Sequence, residues 1–155
     1  MDKVYDSMFI TTTDTVLGIG GPVNDDVLDA IYHLKKRPND KKVVILVGSI
    51  SQARQFSQWN QDAEKLAEQL WPGAATIIIN NQGFRMPNQT GLLRFLNKNG
   101  PMYVSSANIS GQLPISLKQA SCVFPEIKHI YNFGSGSNQP STIYNLDTKK
   151  VIKRY

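Results

Sequence analysis

The apolar positions of this chain change period repeatedly, from continuous or alternating runs to stripes three and four residues apart. This pattern predicts a mixed α/β domain and argues against a helical bundle or a pure sandwich. Residues 8–10 and 15–19 read as strands around the polar knot Thr11-Thr12-Thr13-Asp14. Asn24 is a good N-cap, Asp25 and Asp26 suit a first helical turn, and Val27, Leu28, Ile31 and Leu34 then fall on one face. Pro38 marks the end of that helix. Residues 43–47 are continuously apolar and β-branched, which predicts a central strand buried on both faces. Helices are predicted over 62–70 and 90–98, and more weakly over 116–123, with strands over 76–79, 102–105 and 129–133. The glycine- and serine-rich stretch 134–140 reads as a loop, and 142–146 with 151–154 as a terminal hairpin. The count is about seven strands and three or four helices.

Composition narrows the class. At 155 residues, with 41% hydrophobic and 19% charged side chains, the chain fits one globular domain spanning 1–155 with no second domain. No apolar run approaches the length needed to cross a bilayer, and the N-terminus does not read as a signal peptide, so a cytoplasmic protein without a membrane segment is expected. Cys122 is the only cysteine and is expected to pack at a buried helix end. His33 and His129 lie too far apart for local ligand pairing, so no metal site built from protein side chains is expected. Seventeen basic against twelve acidic residues, a net charge of +5, tilt the surface towards anionic partners such as nucleotides or RNA.

The familiar catalytic signatures are absent. There is no P-loop, nucleophile elbow or zinc helix, and Gly18-Ile19-Gly20-Gly21 lacks the pattern of a dinucleotide fingerprint and reads as a tight turn leaving a strand. What remains are polar clusters at the ends of elements: Thr13-Asp14-Thr15, Lys35-Lys36-Arg37-Pro38, Arg85-Met86-Pro87, Ser105-Ser106-Ala107-Asn108, Ser110-Gly111 and Ser141-Thr142. Each has a purely structural explanation. The basic cluster can stabilise a helix C-terminus, Arg85 can cap a sheet edge, and Ser-Ala-Asn can form an Asx turn.

Order and spacing carry more information than any one cluster. Thr12-Thr13-Asp14-Thr15-Val16-Leu17-Gly18-Ile19-Gly20, Lys35 to Pro38, Leu70-Trp71-Pro72-Gly73-Ala74, Arg85-Met86-Pro87, Ser106-Ala107-Asn108-Ile109-Ser110-Gly111, Ser141-Thr142-Ile143 and Arg154 follow one another in a set sequence. In this the chain resembles the threonylcarbamoyl-AMP synthase (YrdC-like, TsaC-type) family over nearly its whole length. It departs from the family pattern at Thr12, where a proline is usual, at Leu17, where a tyrosine is usual, and at Ala74-Ala75. The resemblance implies a twisted mixed sheet curled around a basic concave cavity, with helices on the outside. It implies a nucleotidyltransferase that joins L-threonine, bicarbonate and ATP into threonylcarbamoyl-AMP and releases pyrophosphate. The product would serve N6-threonylcarbamoyladenosine modification of tRNA at position 37, through a downstream tRNA threonylcarbamoyl-transferase complex.

Carried over by position, the resemblance implies L-threonine contacts from Thr15, Arg85, Ser106 and Ser141. ATP contacts are implied for Arg37, Lys41, Asn108, Ser116 and Arg154, and Lys35 and Arg37 would be the catalytic cations facing phosphates or carbonate. Mg2+ would arrive with ATP. Two other readings stay open on the residues: a carbamoyl-adenylate-forming relative of the same fold, and a non-catalytic protein binding structured RNA through phosphates.

Overall fold

In the computed structural model, residues 2–39 and 42–154 are described. The described strands form a nine-stranded mixed sheet. Its strands are β1 (Phe9–Thr11), β2 (Gly18–Pro22), β3 (Ile45–Leu46), β4 (Ala75–Ile79), β5 (Gln82–Arg85), β6 (Met102–Ser106), β7 (His129–Tyr131), β8 (Thr142–Asn145) and β9 (Lys150–Ile152). They lie in the order β7-β1-β2-β6-β3-β5-β4-β8-β9. The apolar run around β3 is central and buried, as its composition predicts, although only Ile45 and Leu46 keep ladder geometry.

The four glycine-rich positions 18–21 lie inside β2 and form no turn. A side chain on Gly20 would collide with the backbone of Tyr103 in β6, so the glycine permits the close approach of these two strands.

Helix α2 (Asp25–Lys35) starts at Asn24, whose side chain accepts from Val27 N at 2.9 Å, and buries Val27, Ala30, Ile31 and Leu34. Helix α4 (Gln61–Leu70) starts likewise at Asn60, and α5 (Thr90–Asn99) buries Leu92 and Leu96. Two short helices, α1 (Asp2–Tyr5) and α3 (Ile50–Ala53), escape prediction because four residues are too few to show a period. The region 116–123 divides into a 3-10 turn, Leu117–Gln119, and helix α6 (Ala120–Val123). Cys122 is exposed there, contrary to expectation, while Ala120 and Phe124 turn inward.

Strand alternation assigns the two faces of the sheet. Ile10, Ile19, Ile45, Ile77 and Phe84 pack beneath α2, α3 and α4, where Trp71 stacks on Trp59 with ring centroids 5.3 Å apart. Their neighbours Phe9, Leu46, Thr76, Arg85 and Val104 therefore point to the opposite face. Helix α5 covers part of that face through Leu92 and Leu96. The remainder is the floor of a cavity. No helix among the described residues is long and apolar enough to cross a membrane.

Candidate functional site

The connection from β1 to β2 folds on itself through hydroxyls. Thr13 Oγ1 accepts from Thr15 N at 3.0 Å and donates to Val16 O at 2.7 Å, which holds the Thr15 hydroxyl beside it at 3.2 Å. Arg85, the last residue of β5, alternates with the core residue Phe84 and so emerges on the cavity side. Its NH2 donates to Thr15 Oγ1 at 3.1 Å, and its NH1 forms a 2.6 Å ion pair with Asp14 Oδ1. Asp14 Oδ2 accepts from Asn88 N at 2.9 Å, tying the first loop to the segment after β5.

The C-terminal hairpin builds a second corner. Antiparallel pairing of Ile143 with Ile152 continues to place Arg154 opposite Ser141, where Arg154 Nε donates to Ser141 O at 2.9 Å and NH2 to Ser141 Oγ at 3.0 Å. Ser141 Oγ lies 2.6 Å from Thr76 Oγ1 on the parallel neighbour β4. Burial, then the positive charges of Arg85 and Arg37, lower the pKa of Arg154 from its ordinary value. Three guanidinium groups thus converge.

The third corner is at the end of α2. Lys35 is 1% exposed, and its Nζ reaches Ser105 Oγ at 2.7 Å, Ser106 O at 2.6 Å, Ser106 Oγ at 3.2 Å and Asn108 Oδ1 at 3.1 Å. Asn108 also accepts from Ser106 Oγ and donates Nδ2 to Ile109 O and Gln112 O, fixing the loop after β6. Burial, with a smaller contribution from the Arg37 charge, pushes Lys35 down to about 7. Arg37 donates NH2 to Lys42 O at 3.0 Å, while its buried Nε has no partner among the described residues. Burial also lowers the Arg37 pKa.

Thr15, Arg37, Arg85, Ser106, Asn108, Ser141 and Arg154 all line a single cavity of about 490 Å3. Val43, Val44, Leu46 and Val104 supply an apolar wall, and exposed Leu113 stands at the edge. Among the described residues the lining carries four basic side chains, Arg37, Lys42, Arg85 and Arg154, and no acidic one. A strap over 134–140 crosses the Thr13–Thr15 backbone, with Ser137 N donating to Asp14 O and Asn138 N to Thr15 O, both at 3.0 Å. A Cβ on Gly136 would collide with the carbonyl oxygens of Thr13 and Thr15. Asn138, Gln139 and Pro140 of the strap complete the lining.

Three expected positions fare differently. Lys35 is buried behind the surface formed by Ser105, Ser106 and Asn108 and is absent from the lining, so it supports the wall where it was expected to face ligands. Ser116 is exposed, lies outside the cavity and closes a capping box with Gln119. Lys41 lies outside the described residues. Thr76 and Lys42 line the cavity without having been singled out in the sequence, and Asp14, a member of the Thr13-Asp14-Thr15 cluster, pairs with Arg85. Thr76 had a visible signal: a single hydroxyl directly before the isoleucine run of a strand.

A family model covering Sua5, YciO and YrdC proteins, described as "Telomere recombination", matches residues 6–154. An uncharacterized Mycoplasma pneumoniae protein is 36% identical over 150 residues, which cover 93% of this chain and 31% of that protein. A Mycoplasma genitalium relative is 30% identical with the same coverage, so the chain spans about a third of the length of these two relatives. The threonylcarbamoyl-AMP synthase of Hydrogenovibrio crunogenus is 27% identical over 162 residues, covering 91% of this chain and 87% of that enzyme. Among solved structures, P. abyssi Sua5 complexed with L-threonine superposes with a TM-score of 0.82 at 23% identity, over 97% of this chain and 52% of that one. E. coli YciO gives 0.81 at 16% identity, over 99% and 87% respectively. At these identities the two structures bear on the fold alone.

Proposed function

The chain belongs to the Sua5/YciO/YrdC family, and on that premise we propose that it is an L-threonylcarbamoyladenylate synthase, making threonylcarbamoyl-AMP from L-threonine, bicarbonate and ATP. The observation that carries this reading is the cavity that gathers Arg37, Lys42, Arg85 and Arg154 among hydroxyls, with no carboxylate among its described lining residues. Three anionic reactants repel one another in water. A partly enclosed site with fixed cations and donors offsets that repulsion and needs no protein nucleophile.

Bicarbonate takes up a proton and loses water to give CO2, and the threonine amine adds to its carbon and releases a proton, leaving a carbamate. A carbamate oxygen then attacks the α-phosphorus in line, the bond to the β-phosphate oxygen breaks, and pyrophosphate leaves with the electron pair. Arg85, Thr15, Ser141 and Ser106 are assigned to threonine, with the guanidinium on its carboxylate. Arg37, Arg154 and Asn108, which line the cavity, are assigned to ATP. Ser116, which the resemblance also assigns to ATP, stands outside the cavity lining and closes a capping box with Gln119. Lys35 acts by holding Ser106 and Asn108 in place, so that most of the catalysis comes from positioning and charge neutralisation.

Magnesium belongs to the ATP substrate in this scheme. No carboxylate lines the cavity, and no group of three or more His, Cys, Asp or Glu is placed to hold a metal among the described residues. Phosphate oxygens and water would be its ligands. Use of the product for tRNA modification, transfer to a downstream complex and a cytoplasmic site of action belong to the same proposal.

The test is pyrophosphate release in CO2-depleted buffer. Release that requires threonine and rises on adding bicarbonate supports the synthase. Release that instead requires carbamoyl phosphate, or salt-sensitive RNA binding without turnover, overturns it.

A further inference from the structure

Asp14 is absent from the cavity lining but pairs with Arg85, which lines it. The side chains of Arg85 and Asp14 are 7% and 11% exposed, so their ion pair is shielded from solvent screening. NH1 of Arg85 carries two protons. One goes to Asp14 Oδ1 at 2.6 Å and the other to Gly73 O at 3.3 Å. NH2 gives one of its two protons to Thr15 Oγ1. With NH1 saturated, the edge left for a planar anion is the one formed by NH2 and Nε.

We infer that Asp14 is a positioning residue that fixes the guanidinium of Arg85 so that its NH2–Nε edge, and not its NH1–NH2 end, receives the carboxylate of the amino-acid substrate. The inference rests on the synthase reading and deepens it. Asp14 is itself anchored from two sides, by Asn88 N on Oδ2 and by Ser137 N on its carbonyl oxygen, so the plane of the guanidinium is set by three chain segments distant in sequence. Without the carboxylate, NH1 keeps only the long contact to Gly73 and NH2 its bond to Thr15 Oγ1, so the guanidinium is held less firmly in the productive plane.

The test compares Asp14→Asn with the wild-type chain by calorimetry and steady-state kinetics. Threonine affinity should fall about tenfold and the threonine KM rise to match, while ATP affinity stays within about twofold. Threoninol, which lacks the carboxylate, should bind wild type and variant alike, so the preference for threonine over threoninol should collapse in the variant. If Asp14→Asn does not fold, Asp14→Ser, which keeps a hydroxyl to accept from Asn88 N, carries the same measurements. A folded variant with wild-type threonine affinity, or one losing threonine and ATP equally, overturns the inference. A wild-type chain that binds no threonine overturns the functional reading and this inference with it, so the two failures are read from different proteins.

Discussion

Two buried cations flank the same cavity and are compensated in opposite ways. Arg85 meets a carboxylate at 2.6 Å, whereas Lys35 is surrounded by two hydroxyls, a carbonyl and an amide oxygen. Neutral oxygens satisfy the hydrogen-bonding capacity of an ammonium group but return only part of its lost hydration. The pKa of Lys35 therefore falls to about 7 through burial. The contrast separates two tasks: a guanidinium held in one charge state and one plane, and a lysine that braces a loop and carries a proton sensitive to its surroundings.

The largest expected effect comes from breaking the paired side. Arg85→Ala leaves the Asp14 carboxylate buried without its cation, which should destabilise the fold by about 3–5 kcal/mol. Threonine affinity in calorimetry should drop about a hundredfold at a temperature where the variant remains folded. Unchanged stability in denaturant titrations would mean that the ion pair is worth no more than a surface contact.

A smaller effect, with a distinctive pH dependence, is expected on the unpaired side. Lys35 has an ordinary value of 10.5 when unfolded and about 7 when folded. Between those values the unfolded chain holds a proton that the native chain has shed, so stability should rise with pH across the window and level off above it. Lys35→Met should remove that rise, read as the wild-type minus variant difference in unfolding free energy from pH 7 to pH 10. Its pyrophosphate release should fall roughly tenfold, because Ser106 and Asn108 lose their brace. A difference that is flat with pH would show that Lys35 stays charged and that the contrast with Arg85 is one of geometry alone.

The smallest effect marks the boundary of the site. Ser116→Ala should cost about 0.5–1 kcal/mol through the lost cap and leave both KM values unchanged. A raised ATP KM would bring Ser116 back into the nucleotide subsite.

Most of the scaffold could be read from the order of residues because burial imposes a period. Asn24 and Asn60 cap their helices locally, and the β-branched run at 43–47 could only be central. Strand β5 was passed over for a local reason. Its hairpin turns on Asn80 and Asn81, both at positive φ, where a glycine would have been the expected signal. The site divides along a similar line. Which polar clusters mattered was visible from their order, but the atoms each would engage depended on contacts across long separations. Asp14 and Arg85 are 71 residues apart, and Lys35 lies 73 from Asn108. No local pattern reveals that a lysine ending a helix faces inward. The same holds for Ser116, whose capping box is recognisable only once the adjoining turn is seen to lie away from the cavity.

The strand order has a consequence for biosynthesis. β1 and β2 sit near one edge of the sheet and β8 and β9 form the other, and Thr15 and Arg154, 139 residues apart, meet the same cavity from these opposite sides. A ribosome releases the first corner early and the last one only after residue 154 has cleared the exit tunnel. A chain that stops before the β8–β9 hairpin therefore lacks the Ser141–Arg154 corner and keeps only the other two.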